Sequence, residues 1–358
     1  MRTHFKRSRA VVAVMAATVG AMTMAGCGTA ASGATSCVGV EVEAGITNSL
    51  SDALLFIAQD KGYFAEEGLE VRLRPFKSAG EMVPYLAAGH LAVGAGAPSA
   101  GFYNGIARDI DIKIVADKGQ LVTHHDYMPL LVRKELVDSG KVSSVKDLEG
   151  LQVAEPAPGT ATSSTLAALL EHEGLTYDDV SHSFLGFPDH VAALQNGSID
   201  AALTTEPAAT KAQQSGAAVK LADSTTVYNN QQLAVLLYSG DFPKEQAEAA
   251  QCFMNAYTQA ARDYSAAVEG GRWTGKDADE IATIIADHIK SEPEAVKQTV
   301  PSFVNPDASL NIESLKKDYD FFVKQGLFTG TSHIDFDSLV DTSFVDEAAQ
   351  AASKERVS

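Results

Sequence analysis

From Val38 onward the chain alternates short β-like runs with helix-like runs, and this rhythm restricts its architecture more than any other feature. Residues 38–46 read as a strand that ends in the polar loop Thr47-Asn48-Ser49. A helix from about Ser51 carries Leu54, Ile57 and Ala58 on one face and stops at Gly62. Residues 69–76 alternate apolar and polar. Ser78 and Glu81 then have capping-box spacing ahead of Met82, Leu86 and Ala87. Further strand patterns lie at 91–97, 112–116, 128–133, 151–154, 183–187, 199–204, 219–222 and 233–239, with helical patterns at 100–107, 162–171 and 189–196. Beyond 239 the strand signals stop, and helices are expected at 243–268, 277–290, 294–300, 312–325 and 336–351. Such βα units with short connections predict an α/β fold of mainly parallel sheets flanked by helices, with a helical C-terminal part.

An internal repeat strengthens this reading. Glu81 to Val93 can be laid over Asp189 to Ala201, with the acid, Val, Leu, Gly and the following aliphatic in common. Each copy reads as helix, glycine stop and buried strand, so two similar α/β lobes are expected.

The N-terminus is read separately. Arg2, Lys6, Arg7 and Arg9 precede an apolar run from Ala10 to Met24, too short for a spanning helix and suited to a secretory leader. It ends in Met24-Ala25-Gly26-Cys27, the pattern in which a bacterial lipoprotein is cut just before the cysteine and that cysteine is lipidated. Cys27 is the expected lipidation site, residues 1–26 a signal peptide, and the Gly/Ala/Ser/Thr-rich residues 27–36 a flexible tether. Of the two other cysteines, Cys37 precedes the first strand and Cys252 lies in a later helix. An oxidising exterior permits a bond between them, and two separate buried thiols are equally compatible with the sequence.

The formal net charge of -18 argues against nucleic acid, whose binding needs clustered Lys and Arg. There is no P-loop, nucleophile elbow, zinc-protease helix or dinucleotide fingerprint, so no enzyme activity, metal or cofactor is expected. His124-His125-Asp126 could suggest a metal, but neighbours on an extended segment point to opposite sides, and loop histidines are the expected reading.

Phe56-Ile57-Ala58-Gln59-Asp60-Lys61-Gly62-Tyr63-Phe64-Ala65-Glu66-Glu67-Gly68-Leu69-Glu70-Val71 resembles a signature of the nitrate, sulfonate, taurine and thiamine-precursor group of solute-binding proteins. The units Leu86 to Val93 and Leu194 to Ala201, Val145 to Ala154, Glu206-Pro207 and Gly326-Leu327-Phe328-Thr329 are similar to motifs of that group, in the expected order. Ala92 departs from the acidic residue usual there. The resemblance implies a two-lobed type II periplasmic-binding-protein fold joined by two hinge crossings, near 125–131 and 231–237. Residues 37–127 would open the first lobe, 128–239 form the second, and 240–358 complete the first. It further implies a monomeric subunit of an ABC importer on the outer face of the cytoplasmic membrane, with a small-molecule ligand, a permease and an ATPase as partners.

Ligands of open α/β sheets sit beyond the carboxyl ends of strands, near helix N-termini. Candidate contacts there are Thr47, Asn48, Ser78, Ala79, Gly96, Ala97, Ser99, Gly159, Thr160, Thr162, Ser163, Phe187 and Glu206. The stretch from Gly159 to Ser163 is richest in small and hydroxyl residues, whereas Ser78 reads first as a helix cap. Glu206 could accept from an amino group or cap a helix, and Phe102, Tyr103 and Tyr127 could stack on a ligand or fill the core. No Arg lies in these loops, and only Lys77 lies beside one, so an anion would be held by neutral donors. The expected ligand is a small anion of the sulfonate, taurine or nitrate kind. A thiamine-type pyrimidine, an aromatic carboxylate, and a sensory lipoprotein without transport are the alternatives.

Overall fold

The computed structural model describes residues 37–108 and 110–355; Cys27, the leader and the tether lie outside the described residues. Ten strands occur in chain order: β1 Val40–Ile46, β2 Leu69–Pro75, β3 Val93–Gly96, β4 Ile112–Leu121, β5 Leu130–Arg133, β6 Gln152–Glu155, β7 Ser181–Phe184, β8 Ala201–Leu203, β9 Ala218–Ala222 and β10 Gln231–Ser239. They form two five-stranded sheets, ordered β2-β1-β3-β10-β4 and β7-β6-β8-β5-β9. In the first, β1 is parallel to β2 and β3, and β10 runs antiparallel between β3 and β4. In the second, β6 is parallel to β7 and β8, and β5 runs antiparallel between β8 and β9.

Helices cover both faces of each sheet, which is why the central strands are apolar on both sides. Along β10, Val235 and Leu237 pack with Met82, Phe102, Tyr103 and Phe322, whereas Leu236 and Tyr238 pack with Leu54 and Phe253 on the opposite face. In the second sheet, Val153 and Leu203 lie under helix Ala161–His172, and Ala154 and Ala202 face helices Phe187–Asn196 and Ala208–Gln214. The edge strand β2 keeps a true alternation, with Leu69 buried and Glu70 exposed.

The two copies of the repeat take equivalent places. Helix Ala79–Ala87 leads to β3 and helix Phe187–Asn196 to β8, each the middle strand of its sheet. Gly89 and Gly197 close these helices at φ of 68° and 75°, a left-handed conformation that glycine adopts without strain.

Four expectations are corrected. The chain returns to the first sheet between β9 and β10, so 231–239, placed above in the second lobe and its hinge, belongs to the first sheet. Nine buried residues read alike in either sheet, so composition carries no assignment. Strand β4 continues past Ala116 through Asp117, Lys118 and Gly119 to Leu121. The expected strand at 183–187 ends at Phe184, and Phe187 opens a helix with Pro188 in its first turn. The expected helix at 336–351 is broken into Phe336–Leu339 and Ser343–Glu355, and Val340 between them bridges Ile114. Asp341 restarts the chain, accepting from the backbone N–H and hydroxyl of Ser343.

The Ala-rich helix Ala247–Ala267 lies against the first lobe. Tyr238, Tyr257 and Tyr264 are tied to the carbonyls of Ala250, Asp117 and Ser302 by their hydroxyls. No helix among the described residues is long and apolar enough to cross a membrane. A disulfide joins Cys37 to Cys252 across a sequence separation of 215. Chain-entropy arguments give a loop of that length about 5 kcal/mol of stabilisation. Thiol reduction of the full chain is therefore expected to lower the urea midpoint markedly, followed by circular dichroism. Superimposable curves with and without reductant would show that the link adds nothing.

Candidate functional site

In the first lobe a buried carboxylate shapes the loop after β1. Asp52 Oδ2 accepts from the backbone N–H groups of Thr47 and Ser49 at 3.1 and 3.0 Å and from the Thr47 hydroxyl at 2.9 Å. Asp52 Oδ1 faces Lys118 Nζ at 2.9 Å, and both side chains are at most 1% exposed. Lys118 also donates to Ser51 Oγ at 2.6 Å. A buried ammonium is tolerated only when paired and hydrogen-bonded, and Asp52 and Ser51 meet that condition. Asn48 sits exposed at the loop tip with φ 53°. Ser78 and Ser99 act as caps, accepting from the N–H groups of Glu81 and Phe102 at 3.3 and 3.2 Å. Gly96 lies so close to Ala79 that an added Cβ would meet its methyl at 2.7 Å, and Ala97 is exposed.

In the second lobe Gly159 adopts φ 65°, and its carbonyl accepts from the Ala100 N–H at 2.8 Å. Ala100 opens a helix of the first lobe, so this bond crosses between the lobes. Thr160 caps helix Ala161–His172, sharing a hydrogen bond with the buried Thr162 hydroxyl and donating to the Ala157 carbonyl. Ser163 is fully buried and lies in hydrogen-bond range of the Thr160 N–H. Phe187 is half-buried, its ring 5.6 Å from that of His190. Glu206 accepts from the Thr210 N–H and hydroxyl and from the Val300 N–H, so it caps helix Ala208–Gln214 and holds a first-lobe segment. Burial nevertheless pushes its carboxyl above the usual range. Phe102, Tyr103 and Tyr127 are enclosed in the core.

A second cross-lobe contact was not legible in the sequence. Asp318, on helix Ile312–Lys324, accepts from Ser164 Oγ and Tyr228 OH, each at 2.7 Å, and from Gln231 Nε2. Ser164 belongs to the second lobe, Tyr228 to the returning crossing and Gln231 to β10. Burial pushes Asp318 up to about 6, against the opposing effect of these donors. At the carboxyl end of β2, Arg74, Pro75, Phe76, Lys77, Glu81 and Tyr85 line a pocket of about 570 Å³, and the Arg74 guanidinium lies 5.9 and 5.7 Å from the Phe76 and Tyr85 rings. No cluster of three or more metal-ligating side chains occurs among the described residues. His125 instead meets the Pro301 carbonyl, and Asp126 pairs with Lys220.

Two outcomes follow from these contacts. An Ala at 159 would bring its Cβ within 2.6 Å of the Ala100 methyl, at a φ that L-residues rarely adopt. Gly159→Ala is expected to part the lobes here and raise hydrogen exchange at the Ala100 amide at least tenfold; unchanged protection would mean that the contact relaxes without opening. For Asp318, the folded chain keeps its proton to about pH 6, whereas the unfolded chain loses it near pH 4. The folded state binds more protons in that window, so this burial costs stability as pH rises from about 4 to about 6. The stability of Asp318→Asn relative to wild type is expected to improve by on the order of 3 kcal/mol across that window. Denaturant titrations at both ends measure it, and a constant difference would mean Asp318 is charged throughout.

Comparison with known proteins follows from this geometry. The model of the NMT1-like family matches residues 40–286, from β1 through the whole second lobe. The taurine-binding periplasmic protein of Escherichia coli (strain K12) is 27% identical over 211 residues, 59% of this chain and 62% of that protein, so the match spans about three-fifths of the relative's length. The alkanesulfonate-binding protein SsuA of Xanthomonas axonopodis pv. citri, solved with MOPS, superposes with a TM-score of 0.65 at 18% identity, over 86% of this chain and 99% of that one. The desulfurization enzyme DszB shares the fold with a TM-score of 0.58 at 14% identity, over 87% and 99%. Two five-stranded, mostly parallel sheets flanked by helices are common to this chain and its binding-protein neighbours. With the family model covering both sheets, the chain belongs to the NMT1-like family.

Proposed function

We propose that this chain is the extracytoplasmic solute-binding subunit of an ABC importer, taking a small sulfonate-class anion between its lobes and delivering it to a permease driven by an ATPase subunit. One observation carries the reading: the Ala100 N–H, just after the loop that follows β3, donates to the Gly159 carbonyl in the loop that follows β6, so strand-end loops of two separate sheets meet. Closure of this kind buries a ligand and excludes water, which strengthens each hydrogen bond made to it. The taurine-binding relative and the SsuA structure holding MOPS, itself a sulfonic acid, support the sulfonate class. The leader and Cys27 support a diacylglyceryl anchor at the outer face of the cytoplasmic membrane, holding a monomer near its permease. Ligand contact is assigned to Asn48 and to the loops at Gly96–Ser99 and Gly159–Ser163; the Thr47 and Ser49 N–H groups beside Asn48 are already committed to Asp52 and shape that loop.

A catalytic reading has one point in its favour, the fold shared with DszB. The two readings separate on turnover. The full chain, purified in detergent, is screened by thermal shift against alkanesulfonates, taurine, nitrate, pyrimidines and aromatic acids. A ligand at 100 times its Kd adds about 2.7 kcal/mol, several degrees in melting temperature. Stabilisation by a sulfonate that mass spectrometry then recovers unchanged is the expected outcome. Stabilisation only by another class would replace the sulfonate reading, and loss of sulfite from the bound compound would replace the transport reading.

A further inference from the structure

Behind the Gly159–Ser163 loop lies a buried ion pair that the function proposed above does not use. Glu155 ends β6, and its side chain is 0% exposed. Its Oε1 accepts from Tyr177 OH at 2.7 Å and meets His182 Nδ1, on the neighbouring strand β7, at 2.8 Å. Its Oε2 has no hydrogen-bond partner among the described residues. A buried charge needs a partner, and for Glu155 that partner is His182. His182 is placed to carry a proton on each ring nitrogen. Nδ1 faces the carboxylate and Nε2 faces the Tyr177 carbonyl at 2.9 Å, and both of these groups accept. A neutral imidazole has one N–H and serves only one of them. Burial opposes the charge, but the two acceptors hold the His182 pKa above the usual 6.5. The charge is present below that pH and is lost as pH rises through the raised value.

The pair reaches the loop through hydroxyls. The Thr160 N–H lies 3.4 Å from Ser163 Oγ, the Ser163 side chain meets the Tyr177 hydroxyl, and that hydroxyl donates to Glu155. The Tyr177 and His182 ring centres are 4.1 Å apart, so the three residues form one unit under the first turn of helix Ala161–His172. A carboxylate there opposes the helix dipole that would draw an anion to the loop. With His182 protonated the pair is neutral. With His182 neutral, one negative charge remains in an interior where water screens it little. The other ionisable groups around the pair do not imitate this change. Burial and the Glu155 charge keep Tyr177 protonated, and burial keeps His190 neutral. Asp178 faces His182 from an exposed position. From helix Ile312–Lys324, Phe321 packs on the Tyr177 ring, and Asp318, bonded to Ser164, titrates lower, at about 6.

We infer that the Glu155–His182 pair regulates anion capture: protonated His182 cancels the charge behind the Gly159–Ser163 loop and permits an anion there, and neutral His182 leaves that charge to repel it. That the loop takes an anion rests on the function proposed above; the pairing does not. Calorimetry on the full chain in detergent tests the switch with ethanesulfonate, whose single negative charge is constant between about pH 6.5 and about pH 8.5. Wild type is expected to lose about fivefold in affinity as pH rises across that window. Linkage is reciprocal, so saturating ethanesulfonate is expected to raise the His182 pKa by about 0.7, the logarithm of the same factor, as followed by the NMR shift of its ring Cε1–H. A histidine that only supports the fold would not respond to ligand in this way. His182→Gln is expected to bind weakly and alike at both pH values. Glu155→Gln is expected to bind tightly and alike, so the two variants depart from wild type in opposite directions, whereas damage to the fold would weaken both. Equal wild-type affinity at both ends of the window, or a His182 pKa indifferent to ethanesulfonate, would overturn the switch and leave sulfonate capture standing. Absence of ethanesulfonate binding at either pH would overturn the function proposed above and the switch with it.

Discussion

Asp318 is a carboxylate sealed between two lobes, and much of the closed arrangement depends on keeping its oxygens bonded. Its donors come from a second-lobe helix, from the returning crossing and from the first residue of β10. Gln231 is itself anchored, donating to the Ala161 carbonyl at 3.0 Å and accepting from Thr165. Parting the lobes would therefore strip the Ser164 donor from a buried carboxylate, and losing a partner there costs more than losing an exposed ion pair. Lys324 and Glu171, an exposed pair 3.6 Å apart between the same two helices, add little by comparison. On the other side of the cleft, Glu206 holds Val300 in the same manner.

The two sheets are copies of one plan, and the plan explains where function concentrates. Each has its middle strand supplied by a copy of the sequence repeat and one antiparallel strand beside it. That antiparallel strand adjoins a crossing in both lobes, β5 just after the first and β10 just after the second. Among the described residues no ladder pairs a strand of one sheet with a strand of the other. The lobes differ in what their edges carry. The first places a lysine under its β1 loop and cancels it with Asp52. The second places acceptors at its edge and leaves them unmatched.

The fold was largely legible because apolar spacing of two and of about 3.6 residues alternates along the chain with little interruption. The cap at Ser78 and the glycine stops were legible for the same local reasons, whereas Ser99, read as a ligand contact, turns out to cap a helix. Three kinds of feature were not. The sheet to which 231–239 belongs is decided by pairing with β3 and β4, a long-range fact. Asp117 and Lys118 looked like the end of a strand, yet both are buried because Asn305, Gln232 and Asp52 supply partners distant in sequence. Glu155 and Asp318 resembled ordinary polar residues of a strand end and a helix, and only the tertiary arrangement encloses them.

The neutralised lysine bears on how an anion would be held. With Asp52 at 2.9 Å, Lys118 offers little net positive charge to a ligand, although it fixes the loop at Thr47–Ser49 through the shared carboxylate. The attraction for an anion would then fall to backbone N–H groups at the start of helix Ala161–His172, since those of Ala100 and Phe102 are already given to Gly159 and Ser99. Such donors act over short range and lose most of their strength in water. They become effective only when the cleft is shut, so affinity and closure are coupled in this design. An Arg in the loop would bind the anion in the open state as well and weaken that coupling. The absence of Arg from the loops at Thr47, Gly96 and Gly159, a puzzle when the sequence stands alone, would on this argument make binding conditional on closure.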